Sequence, residues 1–154
     1  MKRIIVIVVL ILAMAVLLGK ANGSKKASNA SLYDMDGQEV RISDYKGKSV
    51  ILLFWATWCP YCRESLPVAN GLYPDMKESG IQLFGVNIQE TPEQVMQYIN
   101  AHPVDFPILR DRDGSCAHSF GIVGIPTYIL IDKEGKVVAK ENSLPKNYMD
   151  LLSK

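Results

Sequence analysis

Cysteine is scarce in this 154-residue sequence, and so is any excess of charge. Three cysteines are too few for the disulfide scaffolds that small exported chains build from four or more. Seventeen basic residues face sixteen acidic ones, and the small surplus sits at the start, where residues 1–21 hold Lys2, Arg3 and Lys20 and no acid. Residues 22–154 therefore carry 14 basic and 16 acidic residues, a net charge of −2. A weakly acidic body lacks the clustered basic face that nucleic-acid binding requires. Internal repeats and low-complexity tracts are missing as well. The length excludes a large multidomain enzyme and fits one domain. With 48% hydrophobic and 21% charged residues, the chain is not a disordered tail.

The one long apolar run is at the N-terminus. Ile4 to Leu18 is unbroken, follows Met1-Lys2-Arg3 and precedes Gly19-Lys20-Ala21, which places small residues where a signal peptidase would cut after Ala21. The run is shorter than the ~17–25 residues of a spanning helix. Met1, Gly19 and a snorkelling Lys20 extend it far enough for a thin bilayer. Residues 1–21 thus read as a signal peptide or as an uncleaved N-terminal membrane anchor. Both export the body, with Lys2-Arg3 held on the cytoplasmic side. No cysteine follows the run closely, which argues against a lipoprotein anchor. Residues 22–30 are small and polar and read as a flexible linker. Residues 31–154 form the folded domain.

Along that domain, strand and helix signals alternate. Asp36-Gly37 is a turn, and Val40-Arg41-Ile42 alternates as a short strand would. Ser49 to Ala56 and Ile81 to Ile88 are continuous apolar runs, the pattern of strands buried on both faces. Between them, Pro60 to Ser79 predicts a helix kinked at Pro67. Thr91-Pro92-Glu93-Gln94 is a capping box that starts a helix ending near Ala101. Ile108-Leu109 is a brief strand, and Ser115 to Phe120 a short helix. Thr127 to Ile131 and Lys136 to Lys140 flank a hairpin turn at Asp132–Gly135, and Lys146 to Leu152 closes the chain as a helix. This is an α/β order: a mixed sheet, parallel between the first two central strands and antiparallel in the last two, with helices on both faces.

The chemistry lies in Trp58-Cys59-Pro60-Tyr61-Cys62, between a buried strand and a helix. A helix N-terminus offers free N–H groups and partial positive charge. A thiolate at Cys59 would be stabilised there, with its pKa drawn into the range of about 3.5–7.5. Cys62, one turn further in, would be more buried and would resolve the mixed disulfide that Cys59 forms. Pro60 pre-sets the first helical turn, and Trp58 gives an apolar platform beside the nucleophile. Half of a zinc site is an alternative, but the remaining ligands, His102, Cys116 and His118, match no finger spacing. A merely structural disulfide is another, although so short a ring staples little. Cys116 reads as a buried small hydrophobe, with a second redox thiol or an intermolecular bridge as alternatives. His118 reads as a surface residue, and His102 as a helix end.

The stretches FWATWCPYC (54–62) and GIPTYILID (124–132), supported by 34–59, FGVNIQE (84–90) and 111–135, resemble the thioredoxin superfamily. The resemblance is to its membrane-anchored or periplasmic TlpA/ResA type, which includes reductases of cytochrome c maturation, and it covers Ser31 to about Asp150. It implies a thioredoxin-like fold and a thiol–disulfide oxidoreductase active on extracytoplasmic proteins. It also implies Cys59 and Cys62 as the catalytic pair and a cis Ile125–Pro126 bond facing them. Client chain would pair with the backbone of Ile125, so Trp58, Pro60, Ile125 and Pro126 become substrate-orienting residues. Dithiol chemistry needs no cofactor and no metal, and the partners the resemblance implies are disulfide-bearing protein clients and an electron donor in the membrane. Two positions depart from the pattern. Leu53 stands where thioredoxins carry a buried Asp, and Ser65 stands where many TlpA/ResA-type proteins carry Glu. Glu64, one residue early, is rotated about 100° round the helix and reads as a solvated charge.

Two rival functions use the same fold. A peroxiredoxin-like peroxidase needs Thr or Ser a few residues before a single reactive cysteine, and Thr57, two residues from Cys59, has the wrong spacing. A non-catalytic binding module usually loses one cysteine, and this chain keeps both. The span from Ile88 to Ile108 leaves room for one helix rather than the large helical insertion of the dedicated exported oxidases. With an apolar Ile125 before Pro126, that favours a reductant over an oxidant.

Overall fold

The computed structural model describes residues 31–153; the signal or anchor segment 1–21 and the linker 22–30 lie outside the described residues. Seven strands form one sheet in the order β2-β1-β5-β4-β3-β6-β7. They are β1 (Leu32–Tyr33), β2 (Glu39–Val40), β3 (Ser49–Trp55), β4 (Ile81–Ile88), β5 (Ile108–Asp111), β6 (Thr127–Ile131) and β7 (Val137–Glu141). The helices are α1 (Pro60–Glu78), α2 (Pro92–Ala101), α3 (Ser115–Ser119) and α4 (Tyr148–Leu152), with a 3-10 turn at Ile42–Tyr45. This is the thioredoxin-like α/β fold.

Strand β3 is apolar throughout because both of its faces are covered. Ile51, Leu53 and Trp55 pack with Leu66, Ala69 and Met76 of α1, Val95 of α2 and Tyr148 and Leu152 of α4. Val50, Leu52 and Phe54 pack on the other face with Ile42, Cys116, Ala117 and Phe120. Strands β3 and β4 run parallel, joined by α1, and β4 and β5 run parallel, joined by α2. Strand β6 is antiparallel to β3, with Phe54 opposite Thr127, so the start of β6 lies at the same end of the sheet as the end of β3. That antiparallel pairing carries residues 124–126 to the loop that leaves β3.

Several boundaries move from their sequence positions. Strand β2 stops at Val40, because the Asp44 N–H donates to the Arg41 carbonyl and turns the chain so that Ile42 enters the core. Strand β5 continues through Arg110 and Asp111, which pair with Asn87 and Ile88 of β4. The last helix starts at Tyr148 after a turn closed by its N–H on the Pro145 carbonyl. Helix α1 runs continuously through both Pro67 and Pro74, whose rings lie on its exposed side.

Candidate active site

Cys59 is the N-cap of α1, and its Sγ accepts a hydrogen bond from the Cys62 N–H at 3.2 Å. Pro60 occupies the first helical position, where the missing N–H costs no hydrogen bond, and no acidic residue stands in the first turn. The local sequence therefore leaves the helix's partial positive charge unopposed at the sulfur. Cys59 and Cys62 form a disulfide with Cα atoms 5.3 Å apart. Both are buried, Cys59 2% and Cys62 0% exposed, and Cys62 lies one turn further into the helix.

The turn leading into the pair is closed by the Cys59 N–H on the Ala56 carbonyl at 3.2 Å, with Thr57 and Trp58 at its corners. Trp58 stands out from that turn, 67% exposed, and Tyr61 is similarly exposed on α1. Opposite, the Ile125–Pro126 bond is cis. The Ile125 carbonyl oxygen lies 3.6 Å from Cys59 Sγ. The Thr127 hydroxyl donates to the Gly124 carbonyl at 2.6 Å, and the Asn142 amide donates to the Pro126 carbonyl at 2.9 Å and to the Thr127 hydroxyl at 3.2 Å. These bonds hold the 124–127 loop in place. Trp58, His118 and the segment 122–125 border a groove of about 330 Å³ with Ile125 in its wall, and Val123 on its rim is fully exposed.

The six residues read from the sequence as the catalytic pair and its substrate-orienting neighbours, Trp58, Cys59, Pro60, Cys62, Ile125 and Pro126, thus lie at one end of the sheet. Leu53 is fully buried in β3, and Glu64 is exposed. Ser65 is half-buried, and its hydroxyl donates to the Tyr61 carbonyl at 3.2 Å. Cys116 is a free, buried thiol on α3, away from the disulfide face of the sheet. Burial, then the nearby carboxylates of Asp111 and Asp113, push its pKa from 9.0 up to about 12. Asp111 accepts from the N–H groups of Cys116 at 3.1 Å and Ala117 at 2.7 Å, and burial raises its own pKa. His118 is exposed, and His102 caps α2 with its ring stacked on Tyr98 at 4.5 Å. Sequence reasoning missed Glu90 and Asn142. Glu90 binds Thr57 across 33 residues, and no local spacing rule joins the two.

Residues 21–149 match the Redoxin family. The thiol-disulfide oxidoreductase ResA of Bacillus thuringiensis subsp. konkukian is 37% identical over 114 residues, 74% of this chain and 66% of that protein. The match thus spans just under two thirds of that relative's length. ResA of Bacillus subtilis is 34% identical over 145 residues, 90% of this chain and 81% of that protein. Among solved structures, the thioredoxin domain of a thiol-disulfide oxidoreductase from Bacteroides vulgatus superposes with a TM-score of 0.70 at 30% identity, covering 82% of this chain and 94% of that one. The chain belongs to the redoxin family and, within it, to the thioredoxin-fold proteins of the ResA type.

Proposed function

We propose that the chain is an exported thiol–disulfide oxidoreductase that reduces disulfides of extracytoplasmic proteins through Cys59 and Cys62. The observation that carries this reading is the pair itself: a disulfide capping a helix N-terminus, with Sγ of Cys59 facing the carbonyl of Ile125. In the reduced protein the Cys59 thiolate attacks one sulfur of a client disulfide. A mixed disulfide forms, and the other client sulfur leaves as a thiolate that takes up a proton. Cys62, deprotonated, then attacks Cys59 Sγ, releasing the second client thiol and closing the Cys59–Cys62 bond. Two electrons pass from the dithiol to the client. A donor in the membrane returns two electrons and two protons to complete the cycle.

Client chain lies extended beside Ile125 and pairs with its backbone, with a client side chain in the groove between Trp58 and Val123. Pro60 keeps the helix start rigid, and Pro126 keeps the facing loop in place. Export rests on the basic start and the apolar run of residues 4–18. The relatives' names support disulfide chemistry, and cytochrome c maturation is one class of work such a reductase serves. Direction is tested by equilibration with glutathione at defined redox ratios. A potential well below about −200 mV supports a reductase, and one close to the ~−120 mV of a strong exported oxidant overturns it.

A further inference from the structure

Three donors converge on the carboxylate of Glu90, just beyond the end of β4. The Thr57 N–H donates to Oε2 at 2.7 Å, the Thr57 hydroxyl to Oε1 at 2.5 Å, and the Asn87 amide to Oε2 at 2.6 Å. Among the described residues no lysine or arginine forms a salt bridge with it. Its acceptor capacity is directed at the turn before Cys59. Glu90 is itself held on both sides. The Gln89 N–H donates to the Asp111 carbonyl at 2.9 Å, and Thr91 starts α2 through its reciprocal cap with Gln94. Asn87 is fully buried within β4 and offers a fixed third point.

We propose that Glu90 is a positioning residue for thiol–disulfide exchange. Thr57 is the first corner of the turn that the Cys59 N–H closes on Ala56. Fixing both the N–H and the hydroxyl of Thr57 fixes that turn, and with it the place of Cys59 at the helix N-terminus and opposite Ile125. A carboxylate suits the task because its two oxygens accept from two donors of one residue. Glutamine preserves the geometry: its oxygen accepts from Thr57 N–H and Asn87, and its amide donates to the Thr57 hydroxyl. Alanine removes all three bonds.

The inference rests on Cys59 as the attacking thiol, so the test reads Cys59 alone as well as exchange. In the reduced protein, the pH profile of Cys59 alkylation by iodoacetamide is measured by mass spectrometry, beside the rate of exchange with a disulfide-linked peptide. Thermal unfolding establishes that each variant is folded. Glu90→Ala is expected to slow exchange by about tenfold or more and to move the alkylation midpoint to higher pH. Glu90→Gln is expected to stay within about threefold of the parent, and Glu93→Gln, on the exposed first turn of α2, to match it. A folded Glu90→Ala protein with the parent's rate and profile overturns the proposal. So does a Glu90→Gln protein as slow as Glu90→Ala, because the effect would then belong to charge and not to position. Should Glu90→Ala fail to fold, Thr57→Val and Thr57→Ser decide. A loss in Val that Ser restores supports the clamp, and equal rates contradict it. If the parent performs no exchange at all, the functional reading fails, while the alkylation profiles still decide the role of Glu90.

Discussion

Two cysteine environments in one chain show how position sets thiol chemistry. Cys59 caps a helix whose first turn carries no acid, and an amide N–H points at its sulfur. Cys116 is buried on α3 beside Asp111 and Asp113, where nothing favours the thiolate and its pKa rises to about 12. Its folded pKa therefore lies above its ordinary value of 9.0. The stability linked to the protonated thiol is complete below pH 9 and is lost as the pH rises toward 12. Cys116→Ala removes that dependence. In urea unfolding at pH 8 and pH 11, the parent's advantage over Cys116→Ala should shrink by about 2 kcal/mol at the higher pH. An advantage equal at both pH values would show that the thiol is not held protonated. Disulfide exchange at pH 7 should survive the substitution; a tenfold loss with intact folding would make Cys116 part of the redox chemistry.

The elements hold the site through sheet register more than through loop chemistry. Strand β4 must pass close under Trp55 to bring Glu90 to Thr57, and Gly85 makes that approach possible. A Cβ on Gly85 would meet Ile108 Cδ1 at 2.7 Å, Phe106 Cε2 at 2.9 Å and Trp55 Nε1 at 3.2 Å. Gly85→Ala should destabilise the fold by about 1–3 kcal/mol, read as a lower denaturation midpoint; an unchanged midpoint would mean the three side chains yield freely. The long elements were legible in the sequence because burial on both faces leaves continuous apolar runs, as in 49–55 and 81–88. The capping box at Thr91 also reads directly, since cap and partner are three residues apart. Short elements were less legible. Arg110 and Asp111 carry charge yet lie inside the sheet, and Lys146 and Asn147 look helical yet form a turn. In each case tertiary pairing overrides the local pattern.

At the scale of the whole molecule, the candidate site was legible where its residues are close in sequence or share a motif, as Cys59, Cys62, Ile125 and Pro126 do. It was illegible where distant side chains support it, as Glu90 and Asn142 do. A folded redox domain preceded by a basic start and an apolar run should work outside the cytoplasm. A reporter active only after export, fused at Lys154, should be active, and a silent reporter on a stable fusion would place the domain inside. The central claim is that Cys59 attacks client disulfides and Cys62 releases them. The most direct measurement is the yield of covalent adducts from cells carrying Cys62→Ser, compared with Cys59→Ser and resolved by mass spectrometry. Cys62→Ser should accumulate mixed disulfides joined through Cys59, with none from Cys59→Ser; adducts found only with Cys59→Ser, joined through Cys62, would contradict the assigned order.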